Sequence, residues 1–164
     1  METITKASSE GAYSQKVSLI MPAYNEQSYI LRSIKRAKSV LKNLGLEYEI
    51  IVVDDGSRDN TRALANGEAQ DGHAKIVGYD RNMGKGYAMK YGFLHSNGDI
   101  VVFLDSDLDI DAGILGRYVS LLDDADVVIA SKRHPQSRVE VPFKRWFLSY
   151  AFHALVKLLT GDKR

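Results

Sequence analysis

Glu49-Ile50-Ile51-Val52-Val53-Asp54-Asp55-Gly56-Ser57 is the stretch on which the fold turns. A run of β-branched residues breaks abruptly into two carboxylates, a glycine and a serine. A short apolar run without alternation reads as a strand covered on both faces, and the polar residues after it read as a loop at its carboxyl end. The same grammar recurs on either side, at Val17 to Met21, Lys75 to Tyr79, Asp99 to Leu104 and Asp126 to Ala130. With Tyr48 to Val53 these make five predicted strands. Helical patterns fall between and after them, at Ser28 to Leu44, Asp59 to Gln70, Gly84 to Ser96 and Asp111 to Leu122. Ile30, Ile34, Ala37 and Leu41 share one face of the first helix. Strands alternating with helices predict a parallel, doubly wound α/β sheet, in which the loops after the strands line the ligand crevice.

Composition narrows the class. The chain has 164 residues, 45% hydrophobic and 26% charged, which suits one packed domain and excludes a disordered or fibrous chain. It has no cysteine, so disulfides and thiolate metal ligands are excluded and any metal must sit on oxygen or imidazole. His73, His95, His134 and His153 are scattered without ligand spacing. Residues 1–15 are Ser-, Glu- and Gly-rich without an apolar core, which reads as a loose tail and not a secretion signal. The net charge of +1 conceals an asymmetry. Through Ser131 there are 14 Lys and Arg against 19 Asp and Glu, and from Lys132 onward 8 against 2. The acidic body and the scarcity of interleaved aromatics argue against a nucleic-acid partner.

Four loops at predicted strand ends could carry chemistry. Asp105-Ser106-Asp107-Leu108-Asp109 ends the apolar run Ile100 to Leu104, and carboxylates crowded in this way repel unless a cation or solvent neutralises them. Oxygen ligands suit Mg²⁺ or Mn²⁺, often shared with substrate phosphates; the plainer reading is a solvated acidic turn ahead of a helix that Asp111 would favour. Asp54 and Asp55 could accept hydrogen bonds from a base or ribose, or the loop could simply cap a helix through Ser57 or Asp59. In Pro22-Ala23-Tyr24-Asn25-Glu26, Tyr24 could stack on a base and Glu26 could bind base or ribose; otherwise Pro22 ends the strand and Tyr24 is half-buried. Arg81-Asn82-Met83-Gly84-Lys85-Gly86 opens a helix with glycines and cations, which suits a phosphate or a plain Gly-rich turn, and lacks Walker A spacing.

Taken together, Pro22 to Glu26, Val53-Asp54-Asp55-Gly56-Ser57, Asn82-Met83-Gly84-Lys85-Gly86 and Asp105-Ser106-Asp107 resemble the family 2 glycosyltransferases of GT-A fold, over about Val17 to Gly161. Within that family the sequence looks most like the polyprenyl- and dolichyl-phosphate mannosyl- and glucosyltransferases. The resemblance implies a Rossmann-like, mostly parallel sheet flanked by helices over residues 16–142, and a catalytic domain that takes a hexose from GDP-mannose or UDP-glucose with inversion. It assigns Pro22, Tyr24, Asn25, Glu26, Asp54, Asp55, Asn82, Lys85, Asp105 and Arg145 to substrate. Asp105, Asp107 and Asp109 are assigned to Mg²⁺ or Mn²⁺. Asp107, Lys132 and Arg133 are expected to act in catalysis, the two cations by holding an acceptor phosphate. Where these enzymes read Gly-Ser-Arg, this chain reads Ala130-Ser131-Lys132, so a point charge replaces a bidentate guanidinium unless Arg133 takes that place.

Residues 143–164 read as a basic amphipathic helix. Phe143, Phe147, Tyr150, Ala151, Ala154, Leu155 and Leu158 lie on one face, and Arg145, Ser149, His153 and Lys157 run along the other. The segment is too short and too charged to span a bilayer and fits an anionic membrane surface, a packed terminal helix or a partner face. The expected protein is therefore cytoplasmic and peripheral to a membrane, with a nucleotide-sugar donor, a polyprenyl or dolichyl phosphate acceptor, and a homo-oligomer or partner subunit left open. Two other readings stand beside it: a soluble transferase acting on a sugar or protein hydroxyl, and a non-catalytic nucleotide-sugar-binding subunit of a split enzyme, since the family pattern continues past Arg164.

Overall fold

The computed structural model describes residues 15–106, 112–130 and 152. Four parallel strands form one sheet: β1 (Lys16–Ala23), β2 (Glu47–Asp55), β3 (Ala74–Tyr79) and β4 (Ile100–Phe103), in the order β3-β2-β1-β4. Helices α1 (Ile30–Asn43), α2 (Thr61–Gly67) and α3 (Lys85–Phe93) join them in turn. A 3₁₀ turn, Ala112–Ile114, leads into α4 (Leu115–Leu121). The doubly wound α/β sheet expected from the alternation of elements is thus present.

Alternation along the central strands sends side chains to two separate cores. Val17, Leu19 and Met21 of β1, with Ile50 and Val52 of β2, pack with Ile30, Ile34, Ala37 and Leu41 of α1, and with Leu115 of α4. Ile20 of β1, with Ile51 and Val53 of β2, packs with Ala88 of α3 on the opposite face. Both faces of the inner strands are therefore covered, which is why their sequences run apolar without interruption. α3 lies close to the sheet because Gly92 faces it. A Cβ there would stand 2.5 Å from Ile20 Cγ2 and 2.9 Å from Val53 Cγ2.

Strand order and register open the sheet at one place. The chain winds from β1 outward to β2 and β3, then crosses to the far side of β1 for β4, so the direction of winding reverses between β1 and β4. The β1 pairing with β2 continues to Ala23 opposite Asp54, whereas that with β4 stops at Ile20 opposite Phe103. Leu104 N still donates to Ile20 O at 3.0 Å. Two residues on, Pro22 faces the same side, where the β4 ladder has ended and no strand asks for the N–H that proline lacks. β1 thus runs through Pro22 to Ala23; proline does not end it.

Two other expectations change. Val127 to Ala130, expected within a fifth strand, has no regular structure, and Val127 and Ile129 are exposed. β-branched residues make a segment able to pair, but a strand exists only where a neighbour supplies the ladder and the cover. The helices are shorter than their patterns at both ends, where Ser, Asp and Gly favour turns. α2, for example, is Thr61–Gly67 where Asp59 to Gln70 was expected. By its contacts the chain divides into two compact units, residues 1–126 and 127–164. Asp107, Asp109, Lys132, Arg133 and Arg145 lie outside the described residues, as does the 143–164 segment apart from Phe152, which is helical and exposed. Among the described residues no helix is long and apolar enough to cross a membrane.

Candidate functional site

A cleft of about 360 Å³ opens where β1 and β4 part, lined by Pro22, Ala23, Tyr24 and Glu26 after β1, Asp55 at the end of β2, Asn82, Gly84 and Lys85 at the start of α3, and Asp105 and Ser106 after β4. That volume is within the range of small-molecule sites, and the position is where a doubly wound sheet binds ligands.

Asp54 and Asp55 are adjacent in sequence and opposite in role. Asp55 shares the parity of Ile51 and Val53, so it emerges on the α3 face; Asp54 shares that of Ile50 and Val52 and emerges on the α1 face. The Asp55 carboxylate, 3% exposed, accepts hydrogen bonds from Tyr79 Oη (2.8 Å), Met83 N (2.7 Å) and Gly84 N (3.0 Å). Strand register places Tyr79 directly opposite it. Burial, then the hydrogen bond to Asp55, pushes the Tyr79 hydroxyl pKa well up, so Tyr79 stays a donor at any physiological pH. Asp55 therefore ties the glycine-rich loop to the end of β2. The amides of Met83 and Gly84, which suggested a phosphate site, are engaged by this carboxylate. The α3 ladder begins with Ala88 N donating to Gly84 O, so the amides of Lys85, Gly86 and Tyr87 precede it and form the helix's positive end.

Asp54 is absent from the cleft lining; it accepts from Ser57 N at 3.2 Å and holds the turn after β2. Asn25 is also absent from it. At φ 56° it turns away from the cleft, accepting from Arg58 N (2.9 Å) while its own N–H donates to Ser57 Oγ (3.0 Å). Glu26 N donates to Thr61 Oγ1 at 2.8 Å. These bonds lace the loop after β1 to the loop after β2, and Tyr24 between them is 40% exposed and lines the cleft. Gly56 completes the frame. At φ +68° it lets the β2 loop meet the backbone of Arg81 and Asn82, where a Cβ would lie 2.6 Å from Arg81 C and 2.7 Å from Asn82 N.

Ser106 and Tyr79 belong to the site and were not singled out from the sequence. Ser106 is 3% exposed; its Oγ donates to Pro22 O (2.9 Å) across the parting strands, and its carbonyl accepts from Ser33 Oγ of α1 (2.6 Å). Between Asp105 and Asp107 it reads as a spacer. The signal for Tyr79 was its place at the end of a predicted strand, at the rim where the other loops gather.

The charged cleft lining is Glu26, Asp55 and Asp105 against Lys85, whose Nζ stands 2.5 Å from Asp105 Oδ1. Three carboxylates against one ammonium leave the cleft acidic. Oxygen donors with no sulfur, and a cation already resting on Asp105, fit a hard divalent ion of the Mg²⁺ or Mn²⁺ kind. Among the described residues no three acidic or histidine side chains converge as a metal cluster; Asp107 and Asp109, expected beside Asp105, lie outside them.

The family model described as glycosyl transferase family 2 matches residues 18–161. A mannosyltransferase from Pyrobaculum calidifontis, solved in complex with GDP-Man and Mn²⁺, is 28% identical over 71% of this chain and 34% of its own, with a TM-score of 0.61. Glucosyl-3-phosphoglycerate synthase from Mycobacterium tuberculosis, in complex with Mn²⁺, UDP and glucosyl-3-phosphoglycerate, is 29% identical over 68% of this chain and 41% of its own, with a TM-score of 0.56. Mannosyl-3-phosphoglycerate synthase from Rubrobacter xylanophilus, 22% identical over 68% of this chain and 37% of its own, shares the fold with a TM-score of 0.58. The chain thus spans between a third and about two fifths of the length of these structures.

Proposed function

The chain belongs to glycosyl transferase family 2, and from that premise we propose that it forms the donor site of an inverting glycosyltransferase that takes a hexose from a nucleotide-sugar held with Mg²⁺ or Mn²⁺. The observation that carries this reading is the cleft at the β1/β4 parting, where an acidic strand end, a lysine and a helix amino terminus face one another. Solved relatives hold GDP-Man with Mn²⁺ and UDP with Mn²⁺, which supports the donor class and the ion.

In this reading Tyr24 offers its ring to the base, and Glu26 accepts hydrogen bonds from base or ribose. The α3 amino terminus and Lys85 take the diphosphate. Asp105 holds the divalent ion, with Asp107 and Asp109 as the remaining carboxylates of that strand end. The ion, when bound, offsets the charge that builds on the departing diphosphate. A bond forms from the acceptor oxygen to the anomeric carbon as the bond to the diphosphate oxygen breaks, and attack from the opposite face inverts that carbon. The nucleoside diphosphate leaves with the electron pair.

For the acceptor we favour a polyprenyl or dolichyl phosphate. Its phosphate has a second pKa near 6, is mostly ionised at pH 7 and needs no strong base. Lys132, Arg133 and Arg145, in the basic stretch that also suits a cytoplasmic anionic membrane surface, would hold that phosphate. A second reading has a soluble acceptor hydroxyl, and the glucosyl-3-phosphoglycerate held by the mycobacterial relative favours it. Calorimetric titration with GDP-mannose, UDP-glucose and UDP-N-acetylglucosamine, each with and without Mn²⁺, tests the donor claim: Mn²⁺-dependent binding of one is expected, and binding of none refutes it. Labelled donor offered to polyprenyl phosphate and to phosphoglycerate separates the acceptors.

A further inference from the structure

Lys85 and Asp105 meet across the cleft from different elements, the first residue of α3 and the loop after β4. Their side chains are 61% and 35% exposed, so this ion pair contributes little to stability and is cheap to break. Its position is nevertheless specific. Lys85 is the cation among the cleft-lining residues, and the carboxylate it meets is the one described member of the acidic strand end expected to bind a divalent ion.

Resting on the donor-site reading above, we propose that Lys85 is the counter-ion of Asp105 in the cleft and competes there with the divalent cation. Arrival of the diphosphate draws Lys85 away and releases the carboxylate, which makes cation and diphosphate binding cooperative. One ammonium cannot lie 2.5 Å from Asp105 Oδ1 while a metal ion takes the same oxygen, because the two cations repel and compete for the same lone pairs. A diphosphate in the cleft gives the displaced ammonium a new anionic partner. The cost of clearing Asp105 then falls on the metal alone when no diphosphate is present, and is offset when one is. By linkage the same coupling factor acts in both directions.

The test is titration of the full chain with Mn²⁺, free ion followed by its paramagnetic resonance signal, alone and with saturating GDP or UDP. The wild type, Lys85→Met and Lys85→Arg are compared. Lys85→Met is expected to bind Mn²⁺ alone about tenfold more tightly, since removing a unit charge beside a divalent ion relieves on the order of 1 kcal/mol or more even at high dielectric. The enhancement by GDP or UDP should shrink by about the same factor, and Lys85→Arg should keep the wild-type pattern. Unchanged or weaker Mn²⁺ binding by Lys85→Met, with nucleotide-enhanced binding intact in the wild type, overturns the counter-ion role alone. Absence of Mn²⁺ binding in the wild type with either nucleotide overturns the donor-site reading on which it rests. Because Lys85 is exposed, Lys85→Met should retain the wild-type unfolding midpoint, which checks that the comparison is between folded proteins.

Discussion

Replacing Asp55 with Asn keeps shape and size but removes the charge and half of the acceptor capacity, and its cost follows from the contacts. The carboxylate accepts three donors at 2.7 to 3.0 Å, two on Oδ1 and one on Oδ2, and at 3% exposure water cannot substitute. Asn can keep its oxygen toward Tyr79 and Met83, which sets its NH₂ against the Gly84 N–H, donor facing donor; the flipped amide loses two bonds. One lost charge-assisted bond with an unsatisfied amide, and two bonds weakened from charged to neutral, sum to about 3 kcal/mol. In a chain of this size that lowers the unfolding midpoint by roughly 6–12 °C. The sequence neighbour Asp54 does not hold the glycine-rich loop, so donor affinity should fall with Asp55→Asn and much less with Asp54→Asn. Tyr79→Phe, which removes one donor from the same carboxylate, should cost about 1 kcal/mol. Urea unfolding curves with donor titration on the three variants provide the assay. An Asp55→Asn protein within 0.5 kcal/mol of wild type, roughly the noise of such curves, would refute the claim that this carboxylate pins the loop.

Gly56→Ala should destabilise by about 2 kcal/mol or more in urea unfolding, because it combines φ +68° with a Cβ 2.6 Å from backbone that cannot move aside. Burial pushes the Glu49 carboxyl up, but Ser18 Oγ, the Asn97 N–H and the nearby Lys75 and Lys16 outweigh it and hold its pKa below the usual value. A depressed carboxyl contributes stability that is full above its unfolded pKa and is lost as pH falls through the folded one; Glu49→Gln should therefore flatten the acid limb of stability against pH, read from urea midpoints between pH 6 and about pH 3. Asp107→Ala should abolish Mn²⁺-dependent donor binding in calorimetry, and unchanged affinity would remove that residue from the proposed metal site.

Much of the architecture is visible before any coordinates. Uninterrupted β-branched runs imply strands covered on both sides, and the i, i+4, i+7 spacing of Ile30, Ile34, Ala37 and Leu41 predicts the α1 face that is buried. The gathering of Tyr24, Glu26, Asp55, Asn82, Lys85 and Asp105 at one rim follows from each strand ending in its own polar loop, a local property that a parallel sheet converts into a shared cleft. Period-two alternation even separates Asp54 from Asp55 once it is known which face α3 covers.

That last condition marks where linear reading runs out. Which face a helix covers, and that β4 crosses to the far side of β1, depend on contacts between residues tens of positions apart. The Asp55 bonds to Tyr79, Met83 and Gly84, the Ser106 bridge to Pro22, and the Lys85–Asp105 pair arise there. Val127 to Ala130 shows the converse, since strand-forming residues there take no regular structure. Periodicity and propensity are carried by neighbours along the chain, so residue order exposes them; a hydrogen-bond partner across the sheet is chosen by packing and register, which exist only after the chain has closed on itself.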